Sequence, residues 1–177
     1  MIQKPDWFDL YELVCPHVFY RFGEMAWQFR DQKQLILLDW VRGKLGPVFI
    51  NNWHEPQYVN SDFVRFIMEK VTSNQPIIAS EVPAAPTQLF SQRGLRCNLC
   101  SLNLEKTNKG IIYVSPHFLG KGDDFDIQGR TAEEVRQWLI NNSGLIPYPI
   151  RLEKGVPWVH MDCEEAITGE KVQLVNP

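Results

Sequence analysis

Two histidines and an aspartate, His117, Asp124 and His160, have the types and spacing of a metal site. His117 and Asp124 share the run Ser115-Pro116-His117-Phe118-Leu119-Gly120-Lys121-Gly122-Asp123-Asp124, and His160 lies in Trp158-Val159-His160-Met161-Asp162. Two imidazoles and a carboxylate match the ligand set of a catalytic zinc ion. Three protein ligands leave a fourth position for water, whose pKa the ion lowers toward ~7. A set without thiolate favours a hydrolytic metal over a structural one, whose ligands are usually closed and rich in cysteine. His17 and His54 have no such spacing and read as surface or core histidines. Of the four cysteines, Cys97 and Cys100 form a lone C-x-x-C with no second pair at finger spacing. They read as reduced, partly buried thiols, with a disulfide or a second metal as the alternatives.

These residues need elements to position them. Gln32 to Arg42 reads as a helix ended by Gly43, and Pro47 to Asn51 as a strand. Ser61 reads as the N-cap of a helix with an apolar stripe of Phe63, Phe66, Ile67 and Val71. The Pro- and Ala-rich run from Gln75 to Thr87 reads as a surface loop or linker. Gly110 to Ser115 is β-branched and aromatic, which predicts a strand with His117 at its end, and Asp123 to Ile127 predicts the next. Gly120 and Gly122 let the intervening loop turn tightly, and Ser115 is placed to orient it. Thr131 and Glu134 form a capping box opening a helix with Val135, Trp138 and Leu139 inward, ending near Gly144.

Ile150 to Glu153 and Pro157 to His160 read as a hairpin. A two-residue loop at Gly155-Val156 sets Glu153 opposite Trp158. Alternation then gives Arg151, Glu153, Trp158, His160 and Asp162 one face. Glu153 is thus the candidate general base and proton donor. Asp162 is the second candidate, or the group that orients an imidazole. Helices first, then helices mixed with hairpin-linked strands, predict an α+β fold over residues 1–177. The expected architecture is one domain, a small, mainly antiparallel sheet with flanking helices.

The chain has 177 residues, 44% of them apolar, with six Trp and ten Phe, enough for a single core. A formal charge of −3 without a clustered basic face argues against a nucleic-acid partner. No apolar run reaches the ~20 residues of a membrane span, so no membrane insertion is expected. The N-terminus lacks the pattern of a secretory signal, which gives the expectation of a chain cytoplasmic at synthesis. Nothing in the sequence speaks to oligomeric state.

At the metal residues the chain resembles the zinc D-Ala-D-Ala carboxypeptidase family, which shares its fold group with the hedgehog signalling domain. The family pattern S-x-H-x-x-G-x-A-x-D, then W-x-H, is matched by Ser115, His117, Gly120 and Asp124, then Trp158 and His160, with Gly122 at the Ala position. The run Gln92-Arg93-Gly94-Leu95-Arg96 is similar to the family's Gly-x-Arg element, which makes Arg96 the candidate for binding a substrate carboxylate. Ile50-Asn51-Asn52-Trp53 resembles the entry strand, and Phe8-x-Leu10-x-Glu12-Leu13 resembles phage-encoded members. The likeness loosens between Glu55 and Phe90, where a helix and loop look inserted (about 55–90). The resemblance implies zinc-dependent cleavage of a peptidoglycan stem or crosslink peptide, of carboxypeptidase or endopeptidase type. Ser115, Trp158 and Arg96 would then line the substrate site. A phage or prophage product would act on the cell wall after release or as part of a phage particle. Many members carry the catalytic acid three residues before the last His, where this chain has Pro157. That departure supports the alternative of a catalytically silent, zinc-stabilised phage structural or binding module.

Overall fold

A computed structural model of the chain describes residues 2–51, 53–54, 61–83, 93–165 and 169–177. Within them, helices α1 (Leu10–Leu13), α2 (Pro16–Phe22) and α3 (Gln32–Leu45) lead into strand β1 (Val48–Phe49). Helices α4 (Ser61–Thr72) and α5 (Ser101–Asn108) precede β2 (Gly122–Ile127), α6 (Ala132–Asn141), β3 (Ile150–Glu153), β4 (Val159–Asp162) and β5 (Val172–Val175). The strands form one sheet in the order β1-β2-β4-β3-β5. All pairs are antiparallel except β3 with β5. This is the α+β fold expected of the sequence.

Alternation along the strands divides the sheet. Ile150, Leu152, Phe125, Val159 and Met161 are buried in the main core, which α6 seals with Val135 and Leu139 and α3 with Leu35, Leu38 and Val41. Fully burying a side chain of this size contributes roughly 1.5–3 kcal/mol. Asp124 and Asp126 on β2, His160 and Asp162 on β4, and Arg151 and Glu153 on β3 occupy the alternate positions. A second, smaller cluster of Trp53, Phe63, Ile67, Val71, Ile77 and Val82 forms under α4, so the helix of the loosely matching region has a core of its own. The residue before Ser61, Asn52 of the entry strand and residues 84–87 of the Pro- and Ala-rich run lie outside the described residues. The rest of that run is not a plain surface loop: it forms a 3-10 turn at Ala79–Glu81 and buries Ile77 and Val82 in the second cluster.

The Thr131–Glu134 capping box forms as expected, Thr131 Oγ1 accepting from the Glu134 amide at 3.3 Å. Other boundaries differ. Helix α3 runs through Gly43 and stops at Gly46, whose φ of 101° an L side chain rarely adopts. Helix α6 stops at Asn141, a short 3-10 turn at Ser143–Leu145 taking up the chain before Ile146. Strand β1 is only two residues long. Gly110 to Ser115 is not a strand: no neighbour among the described residues pairs with it, and Ile112 is 95% exposed and Val114 63%. Side-chain preference for a pleated surface counts only where such a surface exists.

The hairpin register also differs. Arg151 pairs with Asp162 and Leu152 with Met161, which by continuation sets Glu153 opposite His160, not Trp158. Pro157 has no N–H to pair, and Arg136 takes the carbonyls of Val156 at 3.0 Å and Trp158 at 2.9 Å, so the turn is longer than two residues. The shift is two residues, so every side chain keeps its expected face.

Candidate metal centre

The β2–β4 ladder places Asp124 directly opposite His160. His117 arrives from the turn after Ser115. Phe118 and Leu119 amides donate to the Ser115 carbonyl at 3.0 and 3.2 Å, and the Phe118 amide also reaches Ser115 Oγ at 3.3 Å. Ser115 therefore shapes the turn that presents His117. Gly120 (φ 71°) lets that turn pass the backbone of Phe29, whose carbonyl oxygen a methyl group there would strike. At Gly122, where the resembled pattern has Ala, a Cβ would sit 2.7 Å from Pro116 Cβ and 3.1 Å from Asp162 Cβ. That crowding accounts for the departure.

His117, Asp124 and His160 are all buried, and one ligand atom from each lies within 4.8 Å of the others. His117 Nδ1–H donates to the Gly94 carbonyl at 3.0 Å, which turns Nε2 toward Asp124 Oδ1 at 3.2 Å. His160 Nε2–H donates to Asp162 Oδ2 at 3.1 Å, which turns Nδ1 toward the same Asp124 oxygen at 2.7 Å. Each ring is tied behind by an acceptor and offers its other nitrogen inward, the usual support of metal-ligating histidines. Asp124 Oδ2 is held by Arg96 at 2.6 Å, so Oδ1 is the oxygen left facing the two rings. The donor set and its support fit a zinc ion.

Asp162 is itself fixed. It accepts from Arg151 Nε at 2.8 Å, Arg151 Nη2 at 3.1 Å and the Glu164 amide at 3.0 Å, and Arg151 also reaches Glu164 at 2.7 Å. Burial pushes its carboxyl up, but the bonds from His160 and Arg151 prevail and hold it below the ordinary range. Asp124 is likewise lowered, burial being outweighed by His117, His160 and Arg96. Burial pushes the His160 ring down, yet Asp124 and Asp162 raise it to about 10. A proton and a metal ion thus compete for the place between His160 and Asp124.

Comparison of the chain with protein-family models, curated proteins and solved structures finds no match.

The remaining sequence candidates fall around this centre in different ways. Glu153 is half-buried on β3, and its charge is close enough to help hold the proton on His160. Asp162 is committed to His160 and Arg151, which suits it to orienting the ring. Arg96 is engaged with Asp124. Trp158 stands half-buried just before β4, its carbonyl bound by Arg136. The roles of three contributors escaped sequence reasoning. The Gly94 carbonyl carries no residue-type signal. Arg151 and Glu164 act through Asp162 and are legible only once the β3–β4 register is known. Elsewhere, Cys15, His17, Cys97 and Cys100 form a second buried group able to hold a metal ion.

Proposed function

We propose that the chain is a zinc metallopeptidase that hydrolyses a peptide bond in peptidoglycan stem or crosslink peptides. The observation that carries the reading is the convergence of His117 Nε2, His160 Nδ1 and Asp124 Oδ1, each supported from behind by a separate partner. An ion bound there supplies Lewis acidity, polarising a carbonyl oxygen and acidifying water. Glu153, opposite His160 across β3 and β4, takes the proton from the attacking water and returns it to the leaving nitrogen. Arg96 has a guanidinium with donors on more than one edge. It holds Asp124, and under this reading the same guanidinium binds a substrate carboxylate beside the ion. Ser115 holds the turn bearing His117, and Trp158 walls the approach to β4. The resemblance in the sequence points to a phage or prophage product.

The test is digestion of purified crosslinked muropeptides by the zinc-loaded chain, with products read by mass spectrometry. Fragments whose masses sum to that of the substrate plus one water per cleaved bond support the reading, and an unchanged substrate sinks it. In the same assay, Glu153→Gln should keep its zinc and lose roughly 100-fold or more of the rate, the scale of general acid–base work. Parent-like cleavage by that variant would take the proton role from Glu153.

A second reading, a zinc-stabilised module without activity, is favoured by Pro157 at the position of the usual acid. Under it the zinc-loaded chain binds muropeptides and leaves them intact.

A further inference from the structure

The second cluster stands apart from the histidine–aspartate centre. Cys15 caps the start of α2 and His17 lies in its first turn. Cys97 lies in a turn and Cys100 caps α5. All but Cys97 are buried, and Cys97 is partly so. One ligand atom from each of the four lies within 4.8 Å of the rest. The Cys97 and Cys100 sulfurs are 3.9 Å apart. A disulfide needs about 2.05 Å. The edge of a tetrahedron with metal–sulfur bonds of 2.3 Å is about 3.8 Å. The spacing is that of two thiolates on one ion, not of a bonded pair.

The histidine gives an independent pointer. His17 Nε2–H donates to the Gln75 carbonyl at 2.8 Å, which leaves Nδ1 as the bare nitrogen. That Nδ1 is buried among the described residues without a well-formed hydrogen bond, and the Cys15 and Cys97 thiols are its polar neighbours. A buried ring nitrogen without a well-formed hydrogen bond is costly unless something binds it. The backbone is also arranged for the cluster: the Leu99 amide donates to Cys97 Sγ at 3.4 Å, and the Cys15 amide donates to the Leu95 carbonyl at 2.9 Å. The Val14–Leu95 bridge fixes one pair of ligands against the other.

We propose that Cys15, His17, Cys97 and Cys100 bind a structural zinc ion as a closed three-thiolate, one-imidazole set. Four protein ligands leave no open position, and soft thiolates select zinc over magnesium or calcium. The ion ties the chain around Cys15 to the segment that follows Arg96. The residues just before it supply the Gly94 carbonyl to His117 and the Arg96 guanidinium to Asp124, so this ion also braces the histidine–aspartate centre.

Zinc per chain, measured by plasma mass spectrometry on the full chain purified without chelator, tests the inference. The parent should carry two zinc ions, and the His117→Ala/His160→Ala double variant one. A folded double variant without zinc overturns the proposal. His17→Cys, which preserves a four-ligand set, should keep the ion. His17→Ala should yield it to a competing chelator with an affinity loss beyond the roughly 10–100-fold that losing a supporting group costs. If ligand variants fail to fold, the cobalt-substituted parent decides. Intense sulfur-to-cobalt charge-transfer absorption supports the site. Its absence, or a Cys97–Cys100 disulfide in the purified parent, contradicts it. The muropeptide assay reports on the other centre: intact substrate beside a zinc-filled cysteine site would sink the peptidase reading alone.

Discussion

Burial should make the His160 ring easier to deprotonate, yet its carboxylate neighbours raise it to about 10 from an ordinary 6.5. A raised folded-state value stabilises the metal-free protein fully below about pH 6.5, and that contribution fades as pH rises through about 10. Metal binding runs the other way, since the ion needs a neutral ring and must expel the proton. Affinity at the histidine centre should therefore climb by roughly tenfold per pH unit between pH 7 and 9, one proton leaving per ion bound. Competition against a chromophoric chelator, taken as the parent minus the His160→Ala variant, measures that slope. A flat difference would mean that His160 binds no metal or is already neutral. At this scale the sequence was informative: the types and spacing of the three residues that the fold brings together are visible directly. What it hid were backbone acceptors such as Gly94 and the burial of the His17 ring beside the cysteine thiols, which exist only once the chain has folded.

At the scale of elements, glycines separate what the turns require from what they tolerate. Gly120 needs a positive φ and passes against Phe29, and Gly122 is hemmed in by Pro116 and Asp162. Gly43 lies within α3, and a methyl group added there would meet nothing within 4 Å. Gly120→Ala should destabilise by about 1–3 kcal/mol or more, and Gly122→Ala by about 1–3 kcal/mol. Gly43→Ala should stabilise by roughly 0.5–1 kcal/mol, because alanine costs less backbone entropy in a helix. Urea unfolding of the three variants checks the signs, and a neutral Gly120→Ala would contradict the tight turn. Elements with their own punctuation were legible: α6 from its capping box, β2 and β3 from alternation. Those decided by partners were not. Gly110 to Ser115 has strand-forming residues without a described neighbour to pair with. The hairpin register depends on Arg136, which reaches the turn from another element. Cys15-Pro16-His17 and Cys97 to Cys100 are each too short to signal a site alone, and the folded chain brings them together beside the Val14–Leu95 bridge.

For the molecule as a whole, the two groups able to hold a metal ion are joined by one stretch of backbone. Residues 93–97 start with Arg93, ion-paired with Asp126 on β2, pass Gly94 and Arg96 at the histidine centre, and end at Cys97 in the cysteine cluster. Beneath the sheet, Arg30 and Gln34 hold the buried Asp123 carboxylate at 2.5 and 3.0 Å, which ties α3 to the strand that presents Asp124. Among the described residues, no helix is long and apolar enough to cross a membrane. The centre is thus braced from three sides, by β2 and β4, by the 93–97 segment and by the turn at Ser115. The most direct test of its nature is anomalous diffraction at the zinc edge from crystals of the full chain grown with zinc. The account predicts a peak at about 2.0–2.2 Å from His117 Nε2, His160 Nδ1 and Asp124 Oδ1 together. Well-ordered density for the three side chains, with zinc present in the crystal and no peak between them, would contradict it.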